Sequence, residues 1–433
     1  MDKCNPKINQ LVIMKENHFV YSLLMKNREL IQINAEAVST HSALLGNIYI
    51  GKVKNIVKNI NAAFVEIDGG RMCYLPLAKP QYPIYCNGMK RDKICIGDEI
   101  MVQIEKENVK TKAPTVTCNL NITGKYVVLT HGITKIGVSA KIKEKEERER
   151  LRSLATSFQL GLQSGSQSDP TDSTFEAFQS CEPQDYGFVI RTNSEGVPSE
   201  RIAQEIQTLQ GIYERLTKQA VHFTRFSLIE KGLPNYLSDI RDYNQFQLDE
   251  IITDDKEIYD EIHNYLTQFQ PEDLSKLTFY QDDMISMKNL YSIETKMQKA
   301  LQKRVWLKSG GYLVIEPTEA LTVIDVNTGK AIKGRKNEQE TFYKINMEAA
   351  EEIAKQIRLR NMSGIIIIDF IDLEEEEKRA SLMTQLRILF AKDPVKTSLI
   401  DMTKLNLVEV TRKKVRKPLW EQIKLRSDED DED

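Results

Sequence analysis

The stretch from residue 321 to residue 369 constrains the fold more than any other. Two strand-length runs, ALTVIDVN and GIIIID, stand on either side of residues 338–360, where Phe342, Ile345, Ala349, Ile353 and Ile357 recur at helical spacing. The run Ile365–Ile368 is apolar without interruption, as a strand buried on both faces would be. A further strand, GYLVIEPT, precedes this unit. A second helix, around Leu382, Leu386 and Phe390, follows it. Alternation of strands and helices around a four-isoleucine strand predicts a layered α/β domain.

Each apolar run ends in an aspartate. Asp325 follows Leu321–Ile324, and Asp369 follows Ile365–Ile368. In open α/β sheets the C-terminal ends of the strands form the ligand crevice, so parallel neighbours would bring these carboxylates together. Two ionised carboxylates in contact call for a cation, and Mg2+ suits one or two carboxylates completed by water and phosphate oxygens. An ion held there polarises a scissile phosphate and activates a water for attack. Asn327, two residues on, points to the same face of the extended chain as Asp325 and is placed to orient a ligand. An aspartate at a strand end is also a common turn cap, and spacing alone leaves both roles open. Asp372 reads as the N-cap of the next helix, and Glu374–Glu377 as that helix's solvated first turn.

The rest of the chain reads differently. At 433 residues it is long enough for two to four domains. Residues 10–35 alternate apolar and polar positions with turn-like breaks, predicting an antiparallel meander. Residues 46–123 give short strands and Gly-rich turns without a helical period, which predicts a small five-stranded barrel. GKYVVLTHG opens a new unit, the Ser/Gln-rich run at 161–185 reads as a loop, and YGFVIRTNSEG is a buried strand running into a turn. Apolar Ile202, Ile206, Leu209, Ile212 and Leu216 predict a helix from Ser199 to about Gln219.

A charged share of 28% and a hydrophobic share of 41% exclude a disordered chain. No apolar run reaches the roughly 20 residues needed to span a bilayer, and the N-terminus lacks the layout of a signal or transit peptide. The six cysteines show neither CxxC pairing nor histidine at ligand spacing, so buried thiols are expected instead of zinc or disulfides. The formal charge of −3 becomes +3 without the acidic run Asp428–Asp433, so net charge neither requires nor excludes a nucleic-acid partner. The basic run TRKKVRKPLW (411–420) reads equally as a phosphate-tracking patch or a solvated helix end.

From EALTVIDVNTGK to SGIIIIDFIDL, the sequence resembles the DNase I-like catalytic domain of the ribonuclease E/G (RNase E/RNase G) family, and the resemblance extends from GNIYIGKV to VEVTRKK. It implies that Asp325 and Asp369 hold a catalytic Mg2+, with Mn2+ able to substitute, and that Asn327 belongs to the same site. The implied fold is multidomain α/β plus β. It comprises an RNase H-like module in two parts (1–43 and 223–300), an inserted S1 barrel (44–123) and a 5′ sensor region (124–222). A DNase I-like catalytic domain (301–415) and a basic, then acidic tail (416–433) follow. In AAFVEIDGG and CYLPL, Phe64 and Tyr74 match the base-stacking aromatics of the S1 domain; Lys106 and Lys112 match lysines near the cleavage site. Core filling is the alternative role for Phe64. Gly124, Val128, Arg191 and Thr192 match the pocket for a 5′-monophosphate, where Arg supplies a planar fork to phosphate oxygens.

The implied activity is endonucleolytic hydrolysis of single-stranded, A/U-rich RNA, including mRNA and rRNA precursors, to 5′-phosphate and 3′-hydroxyl ends. Three departures from the family stand out. No CPxCxG zinc link follows VEVTRKK, so a homodimer is compatible but a zinc-linked tetramer is not expected. The long scaffold of the RNase E branch is missing, and residues 161–175 look like an insertion in the sensor region. Lys-, Ile- and Asn-rich composition fits an AT-rich genome, and hence a bacterial cytoplasm or a plastid stroma. The rival functions are a non-catalytic S1-type RNA-binding regulator and a metal-dependent phosphodiesterase acting on DNA.

Overall fold

The computed structural model describes residues 9–16, 18–37, 45–86, 91, 93–106, 113–161, 185–243, 248–330 and 338–423. Lys112, Cys4, Cys181, the acidic tail and nearly all of the Ser/Gln-rich run lie outside these residues. The chain divides into two compact units. One comprises Met1–Val38, Phe246–Leu266 and Glu272–Asp433; the other comprises Ser39–Gln245 and Thr267–Pro271.

The first unit contains two sheets. In one, the expected meander appears as Asn9–Glu16, Phe19–Lys26 and Glu29–Ala37, all antiparallel. Asn27 and Arg28 turn the second hairpin with positive φ values of 50° and 65°, as a tight two-residue connection requires. Asn9–Glu16 also pairs in parallel with Glu250–Thr253, some 240 residues away, which in turn pairs with Leu277–Phe279. This sheet is therefore assembled from both sides of the other unit's sequence.

The second sheet of this unit has six strands in the order Arg304–Trp306, Tyr312–Pro317, Leu321–Asn327, Gly364–Asp369, Leu407–Arg412 and Thr397–Met402. Helices Glu338–Leu359 and Glu376–Ala391 supply the rest of its core. Ile345, Ala349, Ile353 and Ile357 are buried as their spacing predicts, and Phe342 packs at the margin. Opposite them lie Leu313, Ile315, Ile324, Val326, Ile366 and Ile368. The two sheets share contacts at the end of the long helix, where Leu359 joins the meander's core.

In the other unit, Ile48–Val57, Ala62–Glu66, Met72–Pro76, Thr115–Thr117 and Glu99–Lys106 close into the expected five-stranded barrel. Gly51 is needed for closure, because a side chain there would collide with Val65. A four-stranded sheet (Gly137–Val138, Tyr186–Ile190, Val127–His131, Asn121–Thr123) packs helices Lys145–Gln159 and Ser199–Gln219. The second helix has the predicted bounds, although Tyr213, not Ile212, completes its buried stripe.

The basic run at 411–420 is not a uniform patch. Arg412 is buried and ion-paired to Asp393 at 2.7 Å, with further bonds to the Asn361 side chain (2.9 Å) and the Met362 carbonyl (3.0 Å). Leu419 is buried, and Trp420 packs against the core of the six-stranded sheet. Removing one partner of such a pair strands the other charge. Arg412→Ala should lower the stability of this unit by about 3–5 kcal/mol, read as an early transition in urea unfolding; an unshifted transition would show the pair to be dispensable.

Candidate active site

The strands Leu321–Asn327 and Gly364–Asp369 are parallel neighbours, with Ile324 opposite Ile368 and Asp325 opposite Asp369. Direct partners project to the same face, and the strand backbones lie about 4.8 Å apart. Asp325 and Asp369 therefore stand side by side, as the strand ends predicted. Asp325 lies inside its strand, which runs on to Asn327. The isoleucine strand is not buried on both faces: Ile366 and Ile368 are in the core, whereas Ile365 is 49% exposed. The helices cover one face of the sheet, and the acidic pair occupies the other, which explains how a continuous apolar run carries an accessible site.

Asn327 Nδ2 donates to Asp325 Oδ2 at 2.7 Å, so this amide orients the carboxylate directly. Burial, then the neighbouring charges of Asp325 and Asp372, hold the Asp369 carboxyl above the ordinary aspartate range. Asp372 is not a helix cap. The helix begins at Glu376 with Glu375 at its N-cap, and Asp372 instead accepts a hydrogen bond from Asn406 Nδ2 at 2.9 Å. Of the glutamate run, Glu376 and Glu377 form the first turn, while Glu374 and Glu375 precede the helix. The loop after Asp369 is pinned from below: fully buried Asn346 donates to the Ile371 carbonyl at 2.7 Å and accepts from the Ile371 amide at 3.1 Å.

Among the described residues, no group of three or more His, Cys, Asp or Glu side chains is arranged to hold a metal. The donors here are two carboxylates beside an amide. That set fits a hard, oxygen-seeking ion that keeps waters and takes substrate oxygens; it does not fit a closed Cys/His zinc site. Such a cation would offset the Asp325 and Asp372 charges that, after burial, raise the Asp369 carboxyl.

The barrel places Phe64 and Tyr74 as direct partners on adjacent strands, with ring centroids 6.1 Å apart in an edge-on arrangement. Neither belongs to the barrel core, which is built from Ala63, Val65, Cys73 and Leu75. Tyr74 pairs with Thr115, and Thr115 with Lys106, so an aromatic–aromatic–hydroxyl–cation row crosses the barrel surface. Cys73, Cys86 and Cys118 are buried thiols, pushed up to about 11, 12 and 12 by burial, and Cys95 is exposed.

In the sensor region, Arg191 Nη1 donates to the Gly124 carbonyl at 2.7 Å, and its Nη2 pairs with Asp242 at 2.8 Å. Thr192 Oγ1 lies 2.8 Å from Ser139 Oγ. Val128 pairs with Thr123 on one side and Val189 on the other. Gly124, Val128, Arg191 and Thr192 thus belong to one small sheet and its margin. A Cβ at Gly124 would meet the Glu205 carboxylate, which would have to shift. Glu205 accepts the backbone N–H groups of Lys125 (2.8 Å), Tyr126 (2.7 Å) and Val127 (2.7 Å), fixing this turn. Burial raises the Glu205 carboxyl, against the pull of those three bonds. Burial also works against ionisation of Asp242, but Arg241 and Arg191 outweigh it and hold its carboxyl low.

Sequence reasoning missed Asn346, Glu205 and Asp242. The first two left a signal. Asn346 lies four residues after Phe342, and Glu205 three after Ile202, so each is a polar residue on an apolar stripe. Asp242 left none.

The pairing geometry makes a testable statement about titration. In metal-free protein, Asp325→Asn should bring the Asp369 pKa down toward the ordinary range, followed by carboxyl NMR. Because the folded-state pKa of Asp369 is raised, its stabilising contribution is full below the unfolded pKa and is lost as pH rises through the folded value. The substitution should flatten that pH dependence; an unmoved Asp369 titration would contradict the contact.

Comparison with known proteins agrees with this architecture. The family model described as "Ribonuclease E/G family" matches residues 121–415. The chain is 33% identical over 385 residues to ribonuclease G of Salmonella typhimurium, covering 86% of this chain and 73% of that protein. It is 34% identical over 390 residues to ribonuclease G of Haemophilus influenzae, covering 87% and 74% respectively. Against ribonuclease E of the cyanobacterium Synechocystis it is 31% identical over 417 residues, 95% of this chain but 57% of that protein. With both the family model and these full-domain relatives in agreement, the chain belongs to the ribonuclease E/G family.

Proposed function

We propose that this endoribonuclease hydrolyses single-stranded, A/U-rich RNA at a Mg2+ site held by Asp325 and Asp369. The observation that carries the proposal is the in-register pairing of the two carboxylates, with Asn327 fixing Asp325. When bound, Mg2+ or Mn2+ would supply Lewis-acid polarisation of the phosphate and favour ionisation of the nucleophile. Asp325 and Asp369 supply the negative charge that holds the ion. Asn327 limits the rotation of one carboxylate, and Asn346, through the Ile371 backbone, limits the loop that follows the other. In-line attack by water and departure of the 3′ oxygen would leave 5′-phosphate and 3′-hydroxyl ends.

The S1-type barrel supports the choice of RNA over duplex DNA. Phe64 and Tyr74 offer ring surfaces for unpaired bases, each worth roughly 1–3 kcal/mol and indifferent to base identity, and Lys106 adds a cation at the end of their row. A 5′-monophosphate preference is part of the same proposal. Arg191 and Thr192 are the donors, and the Asp242 carboxylate pre-orients the guanidinium while competing with the phosphate for it. RNase H-like and DNase I-like folds for the two sheets of the first unit are part of the proposal, supported by the split assembly of one and the two-helix cover of the other. Among the described residues, no helix is long and apolar enough to cross a membrane. A bacterial or plastid setting fits the cyanobacterial relatives, and a homodimer completes the proposal.

The direct test is cleavage of a 5′-monophosphorylated A/U-rich RNA in Mg2+. Wild type should cut internally, and Asp325→Asn and Asp369→Asn should each lose at least about 100-fold, roughly 2.7 kcal/mol of transition-state stabilisation. Binding without cleavage by wild type would instead favour the regulator. On the same RNA, Arg191→Ala should shrink the advantage of a 5′-monophosphate over a 5′-hydroxyl by about tenfold or more, as expected for a charged hydrogen bond worth ~1.5–3 kcal/mol. An unchanged ratio would remove Arg191 from the sensor.

A further inference from the structure

The face of the six-stranded sheet that carries the acidic pair carries a second constellation. Tyr312 is the direct strand partner of Asn327, and Trp306 is the direct partner of Tyr312. One row along, Val314 links Asp325 to Arg304 in the same way. Direct partners share a face, so Arg304, Trp306 and Tyr312 lie on the Asp325 side of the sheet, roughly 5–10 Å away at one or two strand spacings. Trp306 and Tyr312 have ring centroids 5.2 Å apart, and the Arg304 guanidinium sits 4.5 Å from the Tyr312 centroid and 5.8 Å from that of Trp306. Trp306 is 60% exposed, although a tryptophan in a core-forming sheet would ordinarily be covered. Its ring packs against Tyr312 and Arg304 and remains largely exposed.

Resting on the ribonuclease reading above, we propose that Arg304, Trp306 and Tyr312 form a base-stacking subsite for a nucleotide adjacent to the scissile phosphate. An indole face accepts any unpaired base, and a guanidinium stacked on the neighbouring ring adds the positive charge that the acidic pair lacks. The edge of the sheet thus complements both parts of an RNA strand, base and phosphate, beside the carboxylates. Anchoring a base here fixes the position of the phosphate one or a few linkages away, so the platform contributes to where the strand is cut. This subsite is separate from the aromatic row on the barrel, which belongs to the other unit.

The chain has two tryptophans, and Trp420 is partly buried away from this row, so Trp420→Phe leaves Trp306 as the sole indole reporter. The full chain carrying this substitution is titrated with a fluorescein-labelled single-stranded A/U-rich RNA in EDTA, where no cleavage occurs, following anisotropy and indole emission together. Stacking predicts quenching of Trp306 that saturates with binding and is lost when an abasic nucleotide occupies one particular position of the RNA. Trp306→Ala in the wild-type chain should weaken binding about tenfold, ~1.4 kcal/mol, and shift the cleavage position in Mg2+, with Trp306→Phe restoring most of both. RNA binding with no change in Trp306 emission would overturn the subsite and leave the ribonuclease reading intact. Emission that responds to protein concentration but not to RNA would overturn it in favour of a contact between copies of the chain. Absence of RNA binding altogether would overturn both.

Discussion

The acidic site depends on in-register parallel pairing between Leu321–Asn327 and Gly364–Asp369. Side chains alternate faces along a strand, so a slip of one residue would turn Asp369 toward the helices and leave Asp325 facing an isoleucine. Register is held by the opposite face, where Ile324, Val326, Ile366 and Ile368 pack against Ile345, Ala349, Ile353 and Ile357. Burial of those apolar groups, at about 25 cal/mol per Å2, fixes the separation at which two like charges meet. Hydrophobic packing thus stabilises an arrangement that electrostatics alone disfavours, and a cation would relieve the remaining repulsion.

The same division of labour recurs in the sensor region. Glu205 bonds three successive backbone amides and packs close against Gly124, while Arg191 is held between the Gly124 carbonyl and Asp242. These partly buried acids act on the backbone or on a neighbouring cation. Such groups are costly to bury unless their bonds are made, and each is bonded. The Arg304–Trp306–Tyr312 row differs in kind, because its Trp306 ring is left largely exposed.

Much of this was legible in the sequence because it rests on periodicity. The helices Ser199–Gln219 and Glu338–Leu359, the meander and the barrel strands announce themselves by spacing, and Asp325 and Asp369 both stand where apolar runs stop. The Ile365–Ile368 run misled, since four isoleucines imply two buried faces whereas only alternate ones are covered; sequence records hydrophobicity but not which neighbour supplies the cover. Asp372 misled because a short acidic residue before a helix resembles a cap, and its actual partner, Asn406, is distant in sequence. Arg412 looked like part of a basic patch because nothing local reveals Asp393 as its partner. Asp242 was invisible for the same reason. Local patterns reveal elements, and long-range pairs emerge only once the chain is folded.

The central claim is that one divalent ion binds between Asp325 and Asp369. Electron paramagnetic resonance of Mn2+ titrated into the intact, RNA-free protein measures this directly. One site, displaced by Mg2+ and lost in both Asp325→Asn and Asp369→Asn, is the predicted result. Mn2+ binding that survives both substitutions unchanged would contradict the account.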